Sequence, residues 1–237
     1  MKLKIQTSKG LYKYEFVPLF TGTKIIDKDI SARNLILFYS ILEKHNITVG
    51  LAYGTLLGAV REHDFITHDE DIDLFMSKEY EQNLRDSLFD LRDNGFEVCR
   101  YDRRGLISFM RQGEYIDIYI FHHHTDGVVI CGREIMPEYF MTDVQPMEFK
   151  GHTYPAPRDY ERYLNFFYGD NWRTPIKYYH YEQPKWKRCI NIALQYIKEF
   201  LPDTVFYALT AKGDNDYRSK YEKKLPQFIK RERICKP

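Results

Sequence analysis

Apolar positions along the first half of the chain recur with two different periods. Residues 27–45 and 78–94 repeat apolar side chains every three or four positions, which predicts two amphipathic helices, and Gly95 follows the second as a stop signal. A third helix is expected over residues 56–62. Short runs rich in β-branched and aromatic residues predict strands at 48–52, 72–76, 96–101, 106–111, 115–121 and 128–131. This order of elements predicts an α+β fold, in which a mixed β-sheet is flanked by helices.

The pattern changes near residue 150, beyond which closely spaced prolines divide the chain into short segments. Apolar side chains from Trp186 to Leu201 lie about one turn apart and predict an amphipathic helix over residues 186–201. After Ala211, nine Lys and Arg residues stand against four Asp and Glu residues. We therefore predict a core with an N-terminal extension at residues 1–150 and a helical, loop-rich C-terminal part at residues 151–237. The second part is expected to pack on the first and to end in a basic tail.

The composition restricts the class of protein. Of the 237 residues, 43% are hydrophobic and 29% are charged, which excludes wholesale disorder and a coiled-coil rod. Lys and Arg number 35 against 34 Asp and Glu, so the net charge of +1 argues against a dedicated nucleic-acid-binding protein. The first ten residues lack the apolar stretch of a secretory signal, and the four cysteines contain no C-x-x-C pair. We therefore expect reduced thiols and a cytoplasmic protein.

The segment Asp69-Glu70-Asp71-Ile72-Asp73 joins acidic residues to the start of a predicted buried strand. Because side chains alternate along a strand, Asp71 and Asp73 should point to the same face, and Asp69 joins them if the strand extends back. Carboxylates this close repel each other unless a cation lies between them, and Mg²⁺ prefers such oxygen ligands. The alternative is a solvated acidic loop, which the apolar run after Asp73 disfavours.

A second motif, Gly54-Thr55, lies between a predicted strand and a predicted helix. Glycine permits a close approach of the backbone to a phosphate, and the N–H groups of a helix start bind anions. Arg61, farther along the helix, could donate two hydrogen bonds to a phosphate, and Arg133 could do the same. The alternatives are an ordinary strand-to-helix turn with a threonine cap, a surface arginine and a turn residue.

Asp117 stands in the middle of a strand pattern of β-branched and aromatic residues at 115–120. A buried carboxylate needs a partner. If this strand lies beside that of Asp71 and Asp73, Asp117 completes a carboxylate cluster, either as a metal ligand or as the general base for an attacking hydroxyl. A structural salt bridge is the alternative.

A Gly-Thr pair after a strand, a D-x-D pair at the next strand and a third Asp in a later strand resemble the nucleotidyltransferase fold of the DNA polymerase beta-like superfamily. More narrowly, YGTLLGAVREHDFITHDEDIDLFM is similar to the signature of the LicD family, which includes bacterial phosphocholine transferases and the eukaryotic fukutin and fukutin-related proteins. A stretch from Tyr154 to Trp172 is similar to the family's downstream pattern, which ends in YGxxW. The resemblance covers about residues 40–175, with His68 where the family usually has an aromatic residue.

The resemblance implies a phosphotransferase that depends on Mg²⁺, with Mn²⁺ as a substitute. A sugar hydroxyl of a glycan or glycolipid, such as a capsular polysaccharide or lipopolysaccharide, would attack the phosphorus of a CDP-activated alcohol such as CDP-choline, and CMP would leave. By motif position, the metal ligands would be Asp69, Asp71, Asp73 and Asp117, the last also a candidate base. The groups on the donor phosphates would be Gly54, Thr55 and Arg61. Phosphoryl transfer of this kind depends on positioning and charge neutralisation.

Two other classes of protein stay open as alternatives. A nucleotidyltransferase would move NMP from an NTP onto a small molecule or protein and release pyrophosphate. A non-catalytic module that binds a glycan or nucleotide would have no use for three carboxylates that repel each other. The helix at 186–201 and the basic tail also leave open a peripheral contact with the inner membrane face. The aromatic run at 178–181 could stack on a base or a cation.

Overall fold

The computed structural model describes residues 2–19, 24–175 and 184–232, so the aromatic run at 178–181 and Cys235 lie outside the described residues. The strands are β1 (Lys2–Thr7), β2 (Gly10–Glu15), β3 (Val49–Leu51), β4 (Ile72–Ser77), β5 (Glu97–Asp102), β6 (Leu106–Arg111), β7 (Glu114–Thr125), β8 (Val128–Cys131), β9 (Glu134–Pro137), β10 (Val144–Phe149) and β11 (His152–Pro157). The helices are α1 (Lys28–Lys44), α2 (Tyr53–Arg61), α3 (Glu81–Asp93), α4 (Tyr139–Thr142), α5 (Tyr160–Tyr168), α6 (Lys185–Glu199), α7 (Asp203–Glu222) and α8 (Leu225–Glu232).

The main sheet has the strand order β3-β4-β7-β6-β5. β4 and β7 run parallel, while the other neighbours in this order run antiparallel. The far half of β7 pairs with β8, which in turn pairs with β9. β4 is buried on both faces from Ile72 to Met76, as expected for a strand with a parallel neighbour in a covered sheet. The predicted α+β class, with a mixed sheet flanked by helices, is confirmed.

The two long helices of the first half form where the apolar period predicts them. The carboxylate of Asp27 caps α1 by accepting hydrogen bonds from the N–H groups of Asp29 and Ile30. α3 ends just before Gly95, which has a φ of +85° and so permits the chain to leave the helix. The predicted start of the third helix at residue 56 is wrong, because Ala52 is the last extended residue and α2 begins directly after it.

The hairpin of β10 and β11 crosses the predicted boundary at residue 150. Its turn is Lys150-Gly151, where both residues have positive φ. Phe149 on β10 belongs to the same hydrophobic cluster as Leu225 and Phe228 of α8. The hairpin and the last helix therefore share one core with the main sheet.

α6 differs from the other long helices because none of its side chains is buried. The helix predicted at 186–201 is confirmed, at Lys185–Glu199. Among the helices in the described ranges, none combines the length and apolar character needed to cross a membrane.

The contact between Gly50 and Phe75 tests how tightly β3 packs on β4. These residues face each other in the antiparallel pair, and a Cβ at Gly50 would overlap the buried ring of Phe75. Gly50→Ala should therefore lower the free energy of unfolding by about 1–3 kcal/mol. Gly213 lies inside α7 with open space around a Cβ, so the matched Gly213→Ala should raise that free energy by about 0.5–1 kcal/mol. Urea unfolding followed by circular dichroism measures both, and a neutral Gly50→Ala would contradict the packing argument.

Candidate active site

Three carboxylates meet where β4 and β7 lie side by side. The parallel register places Asp73 of β4 next to Asp117 of β7, and Asp71 directly precedes β4. One oxygen from each of Asp71, Asp73 and Asp117 lies within 4.8 Å of the others. Asp73 and Asp117 are buried, whereas Asp71 is partly exposed. The sequence hypothesis that the strand of Asp117 adjoins that of Asp71 and Asp73 agrees with this geometry.

The electrostatics of this cluster are unfavourable without a cation. Burial raises the pKa of Asp73 well above its usual range, and the neighbouring charges of Asp71, Asp69 and Asp117 raise it further. Burial and the charge of Asp117 likewise raise the pKa of Asp71. Three carboxylates that disfavour one another's ionised form offer the oxygen ligands that a hard divalent cation prefers.

Asp117 has one oxygen held and one oxygen free. Its Oδ2 accepts a hydrogen bond of 2.6 Å from Arg100, whose Nε also donates to Ser108 Oγ at 2.9 Å. Its Oδ1 is buried and accepts no hydrogen bond from any residue that the structure describes. Burial raises the pKa of Asp117, although the Arg100 guanidinium acts in the opposite direction. A buried oxygen without a partner fits a metal ligand, and so the residues present are suited to Mg²⁺.

Arg100 is a site residue that the sequence analysis missed. Cross-strand pairing places Arg100 of β5 opposite Ser108 of β6, and Ser108 opposite Asp117 of β7. The available signal was an arginine in the middle of a predicted strand, since a charge that is covered there requires a partner. Asp117 needed a partner for the same reason, and matching the two would have suggested the pair.

The first turn of α2 holds Asp73 in place. The N–H of Gly54 donates to Asp73 Oδ2 at 3.2 Å, and the N–H of Asp73 donates to the buried Thr55 Oγ1 at 2.8 Å. A Cβ at residue 54 would overlap the carboxylate of Asp69. Gly54 and Thr55 therefore contact the acidic motif itself, in place of the free phosphate cradle that the sequence suggests.

Asp69 lies beside the three-carboxylate cluster and is not one of its members. It packs against the backbone of Gly54. Burial raises the pKa of Asp69 to about 6, although the hydrogen bond that Asp69 accepts from the N–H of Glu70 lowers it. The metal-ligand role predicted for Asp69 therefore has less geometric support than those of the other three aspartates.

Arg61 lies at the opposite end of α2 from Gly54. It donates a hydrogen bond of 3.1 Å to the carbonyl of Trp172, and its guanidinium pairs with Glu62 at 2.9 Å. Arg61 is not among the residues that line the cleft over the cluster. These contacts tie α2 to the segment after α5, and they favour the structural alternative for Arg61 over phosphate binding.

A cleft of about 680 Å³ opens over the cluster, with Asp71 and Asp117 among its lining residues. Three arginines also line it, namely Arg100, Arg104 and Arg133. Arg104 is held by Asp102 at 2.7 Å and by Asp214 at 3.0 Å. The Arg133 side chain is 55% exposed, pairs with Glu134 through Nε at 3.5 Å and stacks on Tyr217, 4.4 Å from the ring centre. Arg133 therefore presents the least committed guanidinium of the three.

Comparison with known proteins finds a family model that matches the segment carrying this site. The model of the LicD/FKTN/FKRP nucleotidyltransferase domain matches residues 46–159. Lipopolysaccharide cholinephosphotransferase LicD of Haemophilus influenzae is 38% identical over 52 residues, 22% of this chain and 20% of that protein. An uncharacterized protein of Rickettsia prowazekii is 32% identical over 108 residues, 44% of this chain and 39% of that protein. The matches thus span less than half the length of these curated relatives.

Among solved structures, the lincosamide antibiotic adenylyltransferase LnuA with lincomycin bound aligns with a TM-score of 0.43 and 16% identity. That alignment covers 58% of this chain and 85% of the other. ANT(2″)-Ia in complex with adenylyl-2″-tobramycin aligns with a TM-score of 0.44 and 14% identity, over 82% of this chain and 98% of the other. The assignment rests on the family match, which contains Gly54, Thr55 and the aspartates of the cluster. Residues 46–159 of the chain match the LicD/FKTN/FKRP nucleotidyltransferase domain, and together with the Haemophilus relative this match supports membership of the LicD family.

Proposed function

We propose that this chain is a Mg²⁺-dependent phosphotransferase, in which Mn²⁺ can substitute. It would move a phospho-alcohol, such as phosphocholine, from a CDP-activated donor to a sugar hydroxyl of a glycan or glycolipid and release CMP. Membership of the LicD family supports a transferase. The observation that carries the proposal is the group of Asp71, Asp73 and Asp117 within 4.8 Å, two of which, Asp71 and Asp117, line a cleft large enough for a nucleotide-sized ligand.

The cluster supplies the site for the metal. Asp71, Asp73 and the free Oδ1 of Asp117 would hold Mg²⁺, which when bound neutralises charge on the transferred phosphoryl group. Thr55 and Gly54 fix the backbone and carboxylate of Asp73, and Arg100 fixes Asp117. These contacts orient the ligands before a substrate arrives, which is the main contribution that a protein makes to phosphoryl transfer.

The hydroxyl proton of the acceptor needs a carboxylate that is not committed to the metal. Glu134 lines the same cleft, is buried and accepts a hydrogen bond of 3.1 Å from Tyr217. Burial raises the pKa of Glu134, which brings a carboxyl closer to the value that suits a general base. We therefore assign proton removal to Glu134 and metal binding to Asp117.

Donor recognition follows from the arginines of the cleft. A CDP-alcohol brings two phosphates, and an arginine with unengaged N–H groups can bind such oxygens in a bidentate manner. Arg133 comes closest to this condition, since its side chain is 55% exposed and its ion pair with Glu134 runs through Nε at 3.5 Å, whereas Arg61 is engaged by Trp172 and Glu62. We therefore transfer the phosphate-binding role from Arg61 to Arg133.

The proposed reaction is tested by a ligand panel with Mg²⁺, followed by product analysis. We expect one of CDP-choline, CDP-ethanolamine, CDP-ribitol or CDP-glycerol to raise the melting temperature by several degrees, with chelator abolishing the effect. A ligand at 100 times its Kd stabilises by about 2.7 kcal/mol. Incubation with that donor and a glycan acceptor should release CMP. Stronger stabilisation by an NTP, with release of pyrophosphate, would replace this proposal with the nucleotidyltransferase alternative.

Asp71→Asn separates the repulsion in the cluster from metal binding. In chelator at pH 7 the variant should melt several degrees above the natural protein, since it removes one of the carboxylates that repel each other in the cluster. Because the pKa of Asp71 is higher in the folded than in the unfolded protein, ionisation of Asp71 destabilises the fold. The difference in melting temperature between the variant and the natural protein should therefore shrink as the pH falls from 7 towards 5. Calorimetry with Mg²⁺ should show stabilisation of the natural protein and none of the variant.

The matched control is Asp126→Asn, which removes an exposed carboxylate between β7 and β8. It should leave both the melting temperature and the effect of Mg²⁺ unchanged. Equal stabilisation of Asp71→Asn and the natural protein by Mg²⁺ would contradict the metal assignment.

Arg133→Ala and Arg61→Ala distinguish the two candidate phosphate contacts. Titration calorimetry with CDP and Mg²⁺ should show a Kd about 10- to 100-fold higher for Arg133→Ala, because a hydrogen bond to a charged group contributes about 1.5–3 kcal/mol. Arg61→Ala should change the Kd for CDP less than about threefold, but lower the melting temperature, because it frees the carbonyl of Trp172. The reverse pattern would restore the donor role to Arg61.

A further inference from the structure

α6 carries a stripe of apolar side chains that points away from the protein. Trp186 is 66% exposed, Ile190 49%, Leu194 47% and Ile197 57%. Their spacing of four, four and three residues places them on one face of the helix. Surface helices normally turn such a face towards the core, whereas α6 turns it towards solvent.

The opposite face of α6 attaches to the protein through polar contacts. Gln195 donates a hydrogen bond of 2.9 Å to the carbonyl of Leu19, and the Tyr196 hydroxyl donates one of 3.4 Å to the carbonyl of Phe16. The rings of Phe16 and Tyr196 also meet edge to face, with centres 5.4 Å apart. The orientation of the helix is therefore set by these contacts, and the apolar stripe is left outward.

The charges of α6 are almost entirely basic. The helix carries Lys185, Lys187, Arg188 and Lys198 against the single acid Glu199. At 100° per residue, Lys187 and Lys198 fall at one border of the apolar stripe and Lys185 at the other. An outward apolar stripe containing a tryptophan, bordered by lysines, is the pattern of a helix that lies in the interface of an anionic bilayer.

We propose that α6 seats this protein on an anionic membrane surface, with Trp186, Ile190, Leu194 and Ile197 inserted among the headgroups. Exposed apolar side chains also lie on α7, at Val205 (43%) and Leu209 (65%). The basic tail suggested by the sequence is less suited to this role. Its Arg218 donates to the carbonyl of Gly132 and its Lys224 to that of Phe166, so both are engaged on the core.

The position of α6 connects this surface with the catalytic cleft. A second cavity of about 400 Å³ is lined by Gln195 and Lys198 of α6 together with Arg100 and Arg133. Both arginines also line the cleft over the carboxylates, so the two spaces adjoin. If the proposed function holds, a membrane-seated α6 brings this cleft to the surface where a lipid-linked acceptor would lie.

The test is co-sedimentation of the full chain with vesicles, in the absence of any substrate, so its result does not depend on the proposed reaction. We expect binding to vesicles of phosphatidylcholine with phosphatidylglycerol, and at least tenfold weaker partition into phosphatidylcholine alone. Ile190→Ser with Ile197→Ser should reduce partition at least tenfold. Lys187→Glu with Lys198→Glu should reduce it similarly on anionic vesicles. The fluorescence of Trp186 should shift to the blue on binding, and Trp186→Phe should lose that shift.

The matched control is Leu11→Ser with Ile25→Ser, which removes two apolar side chains that are each 51% exposed elsewhere on the surface. This variant should bind vesicles as the natural protein does, and circular dichroism should show that all variants fold. Failure of the natural protein to bind anionic vesicles would overturn the proposal. The proposal would also be overturned if light scattering showed a dimer that the Ile190 and Ile197 substitutions dissociate, while the same substitutions left vesicle binding unchanged. In that case a second copy of the chain would cover the stripe.

Discussion

The parallel pairing of β4 with β7 is the constraint on which the site depends. It brings Asp73 and Asp117 to the same level of adjacent strands in the centre of the sheet, where both are buried. Two carboxylates in that position repel each other and lose hydration. An apolar residue at either position would therefore give a more stable sheet. The contacts of Gly54, Thr55 and Arg100 hold these two carboxylates in position.

The supporting contacts act on orientation more than on stability. A buried ion pair such as Arg100 with Asp117 adds little net free energy, because both groups lose water when they are buried. It does fix which oxygen of Asp117 is engaged and which faces the cluster. In the same way, Thr55 and Gly54 fix one backbone group and one carboxylate oxygen of Asp73. The cluster is thus held by contacts from α2 and from β5 before any ligand binds.

The sequence predicted those parts of the molecule that follow from local periodicity. α1, α3 and the strands of the main sheet lie near their predicted ranges, because apolar period and glycine signals are local properties. The proximity of Asp71, Asp73 and Asp117 could also be predicted from the sequence, because it required only that their two strands be neighbours in the sheet. The partner of Asp117 was not, because Arg100 reaches it across β6 and cross-strand register is a tertiary property. The engagement of Arg61 by the carbonyl of Trp172 joins residues 111 positions apart, and no local pattern encodes it.

The placement of Gly54 and Thr55 changes where donor specificity should be sought. Both residues face the acidic motif, and a side chain at residue 54 would displace Asp69, so the motif is constrained by its own packing. A segment constrained in this way has little freedom to adapt to different donors. The lining of the cleft also includes Arg100 and Asp102 of β5 and the turn that carries Gly132 and Arg133, where the Arg133 side chain is 55% exposed. Loops and turns tolerate change better than buried strands. Under the proposed function, discrimination among CDP-alcohols is therefore expected from these residues, while the carboxylates and the first turn of α2 would supply what any such donor requires.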